Sequence, residues 1–320
     1  MTNFWKRSLQ MISLLLIVGT VYFLMSSSPQ EPEDLARRFD KEPEVSVYFH
    51  RTQETKTMPI EEYIMGVVAG EMKPDWPKEA YAAQAILARS FTMHYISHGG
   101  ARDKYGTDVT TNEEEVQAYN ADNITPIIEE AVNSTRGMVM TFDNRYVRAW
   151  FHSFSGGITA TAKEGLNYPD DEPPYIKSVR LPDNPHAPED VKEWELEISL
   201  VDLQQRLSGL GVTGPISDVR IKERGPTGRI TAVEVVHSDG ETTTIPGNDF
   251  RLAVGAMEMK STLVEEFEVD DGKLEIEGTG FGHGVGLSQW DAYMLAKDGY
   301  SPEEIVHYFF KDIEIKKLWD

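Results

Sequence analysis

Apolar residues along this chain change period several times, and each change marks an element. Val45, Val47 and Phe49 alternate with polar positions, the two-residue period of a half-buried strand, so folded sequence is expected to begin at Val45. From Pro59 the pattern becomes helical. Proline opens the segment, Glu61 and Glu62 fill the first turn, where they serve the helix dipole, and the helix runs to about Met72. Asp75-Trp76-Pro77 starts a second helix, 78 to about 97, with Ala80, Ala82, Ala83, Ala85 and Ala88. Small side chains on several faces imply close packing on several sides, which predicts a central helix.

Further along, residues 126–135 read as helix and 138–152 as a hairpin turning at Asp143-Asn144. Residues 154–195, rich in Gly, Pro and Asp, read as long surface loops. From Trp194 come a strand, a helix at 200–208, β segments at 217–224, 229–237 and 241–246, and a short helix near 248–256. Asp271-Gly272 then turns into a stretch with glycine at every second position from Gly278 to Gly286, the period of a strand with one bare face. Ser288 with Asp291 marks a helix ending near Gly299, and Ser301-Pro302-x-Glu304 marks another. These elements predict an α+β fold with helices packed on antiparallel strands. A smaller αβ unit at 196–267 is expected to form one wall of a substrate groove.

Composition narrows the partners. With 40% hydrophobic and 26% charged residues, the 320-residue chain is of the folded kind, and its net charge of −22 argues against a nucleic-acid surface. Cysteine is absent, which removes disulfides, thiolate nucleophiles and thiolate metal sites. Lys6 and Arg7 precede an apolar run, so residues 1–7 read as a cytoplasmic tail and 8–25 as an uncleaved transmembrane signal anchor. Residues 26–44 read as a linker and 45–320 as an extracytoplasmic catalytic region. The expected location is the cell membrane, single-pass, with the N-terminus cytoplasmic.

Glu71 stands out by position. It shares a helix face with Ile64, Val67 and Val68, and a carboxyl group among apolar neighbours has its neutral form favoured. A general acid for a glycosidic oxygen needs that property; a structural partner for a buried Arg89 would satisfy the same pattern. Arg89, inside the alanine-rich helix, is expected to orient a substrate, neutralise Glu71 or reach the surface. His152-Ser153-Phe154-Ser155-Gly156-Gly157 follows a predicted strand and can offer hydroxyl and N–H groups to a ligand; a Ser-His catalytic pair is a weaker reading. His94 and His98 have metal-ligand spacing but no third ligand, so a polar helix face is favoured and no metal or cofactor is expected. The alternating glycines allow either close approach by a sugar, with His283 near it and Gly282 and Gly284 giving room, or tight packing on another backbone.

Taken together, these motifs resemble the stage II sporulation protein D family, which includes amidase-enhancer proteins. The resemblance is carried by Glu62-Tyr63-Ile64-x-Gly66-Val67-Val68-Ala69-Gly70-Glu71-Met72 and by Glu79 to Ser90. It continues in Phe151-His152-Ser153-x-Ser155-Gly156-Gly157, Pro174-Tyr175-Ile176 and Gly280-x-Gly282-His283-Gly284-Val285-Gly286, over about residues 46 to 317. It implies a lytic transglycosylase acting on peptidoglycan glycan strands stripped of stem peptides. One Glu, here Glu71, protonates the oxygen between N-acetylmuramic acid and N-acetylglucosamine. It then takes the proton of the muramoyl 6-hydroxyl, closing a 1,6-anhydro ring without a second carboxylate. Arg89, His152, Ser153, Ser155, Tyr175, Gly282, His283 and Gly284 are the expected substrate contacts. A cell-wall amidase and a membrane partner of the engulfment machinery are the implied partners; a non-enzymatic glycan-binding activator of such an amidase is the alternative. Two departures stand out. Ala82 replaces a Lys found in many relatives, and the zinc that some relatives hold through Cys and His near the His-Ser-x-Ser-Gly-Gly loop is not expected here.

Overall fold

The computed structural model describes residues 36–320, and the strand expected at Val45 opens its first sheet. Glu44–Phe49 pairs antiparallel with Glu54–Pro59 and parallel with the short Val109–Thr110, burying Val45 and Val47 on one face. Pro59 and Pro77 then stand at the N-caps of the helices Ile60–Glu71 and Lys78–Ser97. Every residue from Ala80 to Ser90 is buried, as alanine on several faces implies. This helix packs against Ile60–Glu71, Pro126–Ser134, Gln289–Lys297, Pro302–Phe309 and the strand Met138–Phe142. That strand forms a hairpin with Arg145–Tyr146, shorter than the predicted 138–152 because Phe151–His152 pairs elsewhere, and Asp143 and Asn144 both take the positive φ that a two-residue turn requires.

A second hydrophobic cluster gathers side chains from Trp194 to Ile276, with Leu203, Val233, Phe250 and Leu274 at its centre. Two three-stranded antiparallel sheets supply it, one of Trp194–Ser199, Lys273–Gly278 and Val264–Asp270, the other of Ile216–Arg224, Ile230–His237 and Thr242–Pro246. The class is α+β. Two short parallel strand pairs, Glu44–Phe49 with Val109–Thr110 and Phe151–His152 with Leu287–Ser288, and the parallel bridge of Ala160 with Val285 are its departures from antiparallel pairing among the described residues.

Three expectations change. Glu61 sits in the first turn but does more than serve the helix dipole: it is buried and receives Arg89 Nε and Nη2 at 3.0 and 2.7 Å, with the Gly137 N–H at 3.0 Å and Trp319 Nε1 at 2.8 Å. The alternating glycines do not form a strand. Strand geometry stops at Gly278, and Gly280, Gly282, Gly284 and Gly286 have φ of 87°, 107°, 82° and 74°, left-handed conformations open to glycine. Their closeness is to the protein itself: a Cβ at Gly284 would lie 2.7 Å from Arg229 Nε, and one at Gly282 would lie 2.7 Å from His152 Cβ. The single-pass membrane localisation is also corrected. No helix among the described residues is long and apolar enough to cross a membrane, and the expected tail and span, with the first part of the linker, lie outside those residues.

Candidate active site

The helix Ile60–Glu71 carries glycines at positions 66 and 70, one turn apart on one face. Side chains there would collide with the loop 111–122: a Cβ at Gly66 meets the Tyr119 ring, and one at Gly70 lies 2.7 Å from the Tyr119 backbone nitrogen. The loop therefore lies directly on the helix. Asn120 N–H donates to the Gly66 carbonyl at 2.9 Å, and Ala118 N–H donates to Glu71 Oε1 at 2.7 Å.

Burial is the largest influence on this carboxyl group. It pushes the Glu71 pKa up to about 7; the Ala118 N–H partly offsets the rise, and the nearby Glu113 carboxylate adds to it. With Oε1 accepting from Ala118, Oε2 is the oxygen that carries the proton in the neutral acid. Loading and unloading a proton near neutral pH is what a residue serving as both acid and base requires.

The segment after the glycines closes on the same place. Gln289 Nε2 donates to the Glu71 carbonyl oxygen at 3.3 Å, satisfying one of the acceptors left free at a helix end. The next residue, Trp290, donates its N–H to the Ser153 carbonyl at 3.0 Å and lies beside Trp76 and Tyr293 at ring-centroid distances of 4.7 and 5.7 Å. Lys73 Nζ stands 5.3 Å over the Trp290 ring. Through Gln289 and Trp290, Lys73 and Ser153 are thus linked to the backbone of Glu71, and of these residues the sequence reading singled out Ser153 and Glu71 alone.

His152 and His283 come together, their ring centroids 5.7 Å apart, clamped by a single residue between them in hydrogen bonding. His152 Nδ1 donates to the Val285 carbonyl at 3.2 Å, and Val285 N–H donates to His283 Nδ1 at 3.0 Å. The proton therefore sits on Nδ1 in His152 and on Nε2 in His283. Burial first, then His283 and Arg229, hold His152 well below the usual imidazole range; burial and Arg251 push His283 down to about 3. Both rings are neutral at pH 7. The buried Nε2 of His152 has no hydrogen-bond partner among the described residues.

The other expected contacts have different surroundings. Ser155 is fully buried, donating its hydroxyl to Asp291 Oδ2 at 2.6 Å, while Ser288 Oγ accepts the Ser155 N–H. Asn184 Nδ2 holds the other Asp291 oxygen at 3.0 Å, so Ser288 and Asp291 serve this network rather than a backbone cap. Arg89 has no exposure and is paired with Glu61, not Glu71. Tyr175 accepts the Arg148 N–H on its hydroxyl at 3.1 Å and packs on Phe142. His94 and His98 stack on each other, and no group of three or more His, Asp or Glu among the described residues is arranged to hold a metal ion. Arg229, which sequence reading missed, is buried and donates Nη2 to the Ser155 and Ile158 carbonyls at 2.8 Å, tying the second cluster to the His152–Gly157 loop.

Comparison with known proteins places these features. The family described as stage II sporulation protein matches residues 48–142, which contain Glu71, Arg89 and Ala118; a domain of unknown function, DUF8618, matches 173–286. The stage II sporulation protein D of Bacillus amyloliquefaciens is 30% identical over 293 residues, covering 87% of this chain and 80% of its own length. An uncharacterized protein of Brachyspira hyodysenteriae is 30% identical over 258 residues, covering 80% of this chain and 66% of that protein. The amidase enhancer of Bacillus subtilis is 24% identical over 290 residues, covering 77% of this chain and 39% of its own length.

Proposed function

Because the chain belongs to the stage II sporulation protein D family, we propose that it remodels the cell wall during sporulation as a lytic transglycosylase, with Glu71 as its acid and base. The observation that carries this reading is the Glu71 carboxyl group, raised to about 7 by burial and held through one oxygen by Ala118 N–H. Protonated Oε2 donates to the bridging oxygen between N-acetylmuramic acid and N-acetylglucosamine as that bond breaks. The carboxylate so formed then removes the proton of the muramoyl 6-hydroxyl, which attacks the same anomeric carbon and closes the 1,6-anhydro ring. One group performs both transfers, so no water nucleophile and no second catalytic carboxylate are needed. Trp290 and Lys73 offer an aromatic face and a cation beside the acid, suited to a sugar ring carrying the carboxylate left once a stem peptide is removed. An amidase would supply such strands.

A second reading, a glycan-binding activator of a cell-wall amidase, is supported by the likeness to a protein named amidase enhancer. Mass analysis of products from peptide-free glycan strands separates the two. Anhydro-muramoyl ends formed by the wild-type chain and absent with Glu71→Gln are the expected result; intact strands would leave the activator reading.

A further inference from the structure

We propose that the cavity between the turn 49–52 and the loop 111–122 is a distal saccharide subsite, taking an uncharged N-acetylhexosamine of the same glycan strand. The proposal rests on the glycan reading of the Glu71 site and extends it. The cavity holds about 460 Å³, within the roughly 300–1,000 Å³ range of small-molecule clefts. It is open along one side, as a site for a polymer must be. Its position follows from the loop's own anchoring: Ala118, bound to Glu71 Oε1, is the immediate neighbour of Tyr119, which lines the cavity. Ala118 and Tyr119 thus join the acid and the cavity along one loop.

The lining fits a neutral sugar better than other ligands. Phe49 and Tyr119, ring centroids 5.5 Å apart and both half-buried, present apolar edges against which the C–H face of a pyranose can rest. Asn112 and Asn120 border these rings with amide groups matched to hydroxyl and acetamido partners. Glu113, Glu114 and Asp122, also in the lining, are carboxylates that disfavour a phosphate or a peptide-free muramoyl residue. Arg51 is exposed and has no hydrogen bond or ion pair among the described residues, leaving its planar donors for a sugar oxygen. In a strand of alternating sugars this selects the N-acetylglucosamine positions and fixes the register of cleavage.

Thr52, exposed in the same lining, gives a clean test because its replacement by a large ring fills the cavity without entering the core. Binding of the β-1,4-linked N-acetylglucosamine tetramer to the full chain is measured by calorimetry for the wild type, Thr52→Trp, Arg51→Ala and Glu71→Gln. Melting curves verify that each variant is folded. Thr52→Trp is expected to weaken tetramer binding at least about tenfold, and Arg51→Ala about three- to tenfold, while Glu71→Gln binds like wild type. On long peptide-free strands the two cavity variants should raise KM and leave kcat nearly unchanged. Unaltered tetramer affinity in both folded cavity variants would overturn the subsite. Should either misfold, the other decides by the same readout. Tetramer binding that is lost in Thr52→Trp, with no strand cleavage by wild type, keeps the subsite and rejects the transglycosylase.

Discussion

Replacing Glu71 by Gln keeps the shape of the side chain and the acceptor oxygen for Ala118 N–H, but removes the proton that the group can donate. Two effects of opposite sign follow. Activity should fall at least about a hundredfold, the ordinary contribution of a positioned general acid. Stability should rise at alkaline pH. A carboxyl raised from 4.5 to about 7 is harder to ionise in the folded protein than in the unfolded chain, by about 3 kcal/mol at roughly 1.4 kcal/mol per tenfold. The side chain keeps some solvent contact, which reduces the expected effect to about 1–3 kcal/mol. The folded wild type holds its proton between pH 4.5 and 7 while the unfolded chain loses it, so wild-type stability declines across that window and levels off above it. The amide of the Glu71→Gln variant has no such titration. Denaturant melts of both proteins should therefore coincide near pH 4 and separate by about 1–3 kcal/mol at pH 8.5, the variant being the more stable. Product analysis on peptide-free strands supplies the activity arm. Near-normal turnover by the folded variant rejects Glu71 as the acid, and a stability difference that does not change with pH rejects the account of its burial.

The wild-type rate should decline as pH rises through about 7, because Glu71 then loses the proton it must donate; a rate still climbing at pH 9 would contradict this. Arg89→Ala leaves Glu61 buried without its bidentate partner and should cost about 3–5 kcal/mol of stability by thermal melting, where a substrate-contact role would lower activity alone. Gly284→Val forces a branched residue into φ 82° against Arg229, so poor folding is expected rather than a stable enzyme with weak glycan binding; a normal melting point would show that Arg229 can move aside. The ring protons of His152 and His283 should show no titration between pH 5 and 8 by NMR, since both stay neutral there, and a midpoint near 6.5 for either would show that its burial is relieved in solution.

Sequence alone determined what depends on near neighbours. The helices Ile60–Glu71 and Lys78–Ser97, the Asp143–Asn144 turn and the capping box of Ser301 with Glu304 are all written in spacings of two to four residues. The same local logic picks out Glu71, because an acid on an apolar helix face is visible from periodicity. Tertiary structure decided which charges meet and which way the glycines turn. Arg89 is expected from sequence to orient a substrate, neutralise Glu71 or reach the surface, and it pairs with Glu61. The choice of Glu61 depends on Gly137 and on Trp319, 258 residues along the chain, both of which donate to that carboxylate. The paired glycines at 66 and 70 signal a close approach but do not name the visitor, which proved to be the Tyr119 ring at Gly66 and the Ala118–Tyr119 backbone at Gly70. Alternating glycine suits both an extended strand and a run of left-handed turns. Packing against His152, Arg229 and the Trp150 carbonyl selected the second, since glycine is the residue that accepts positive φ without a Cβ to collide with those neighbours.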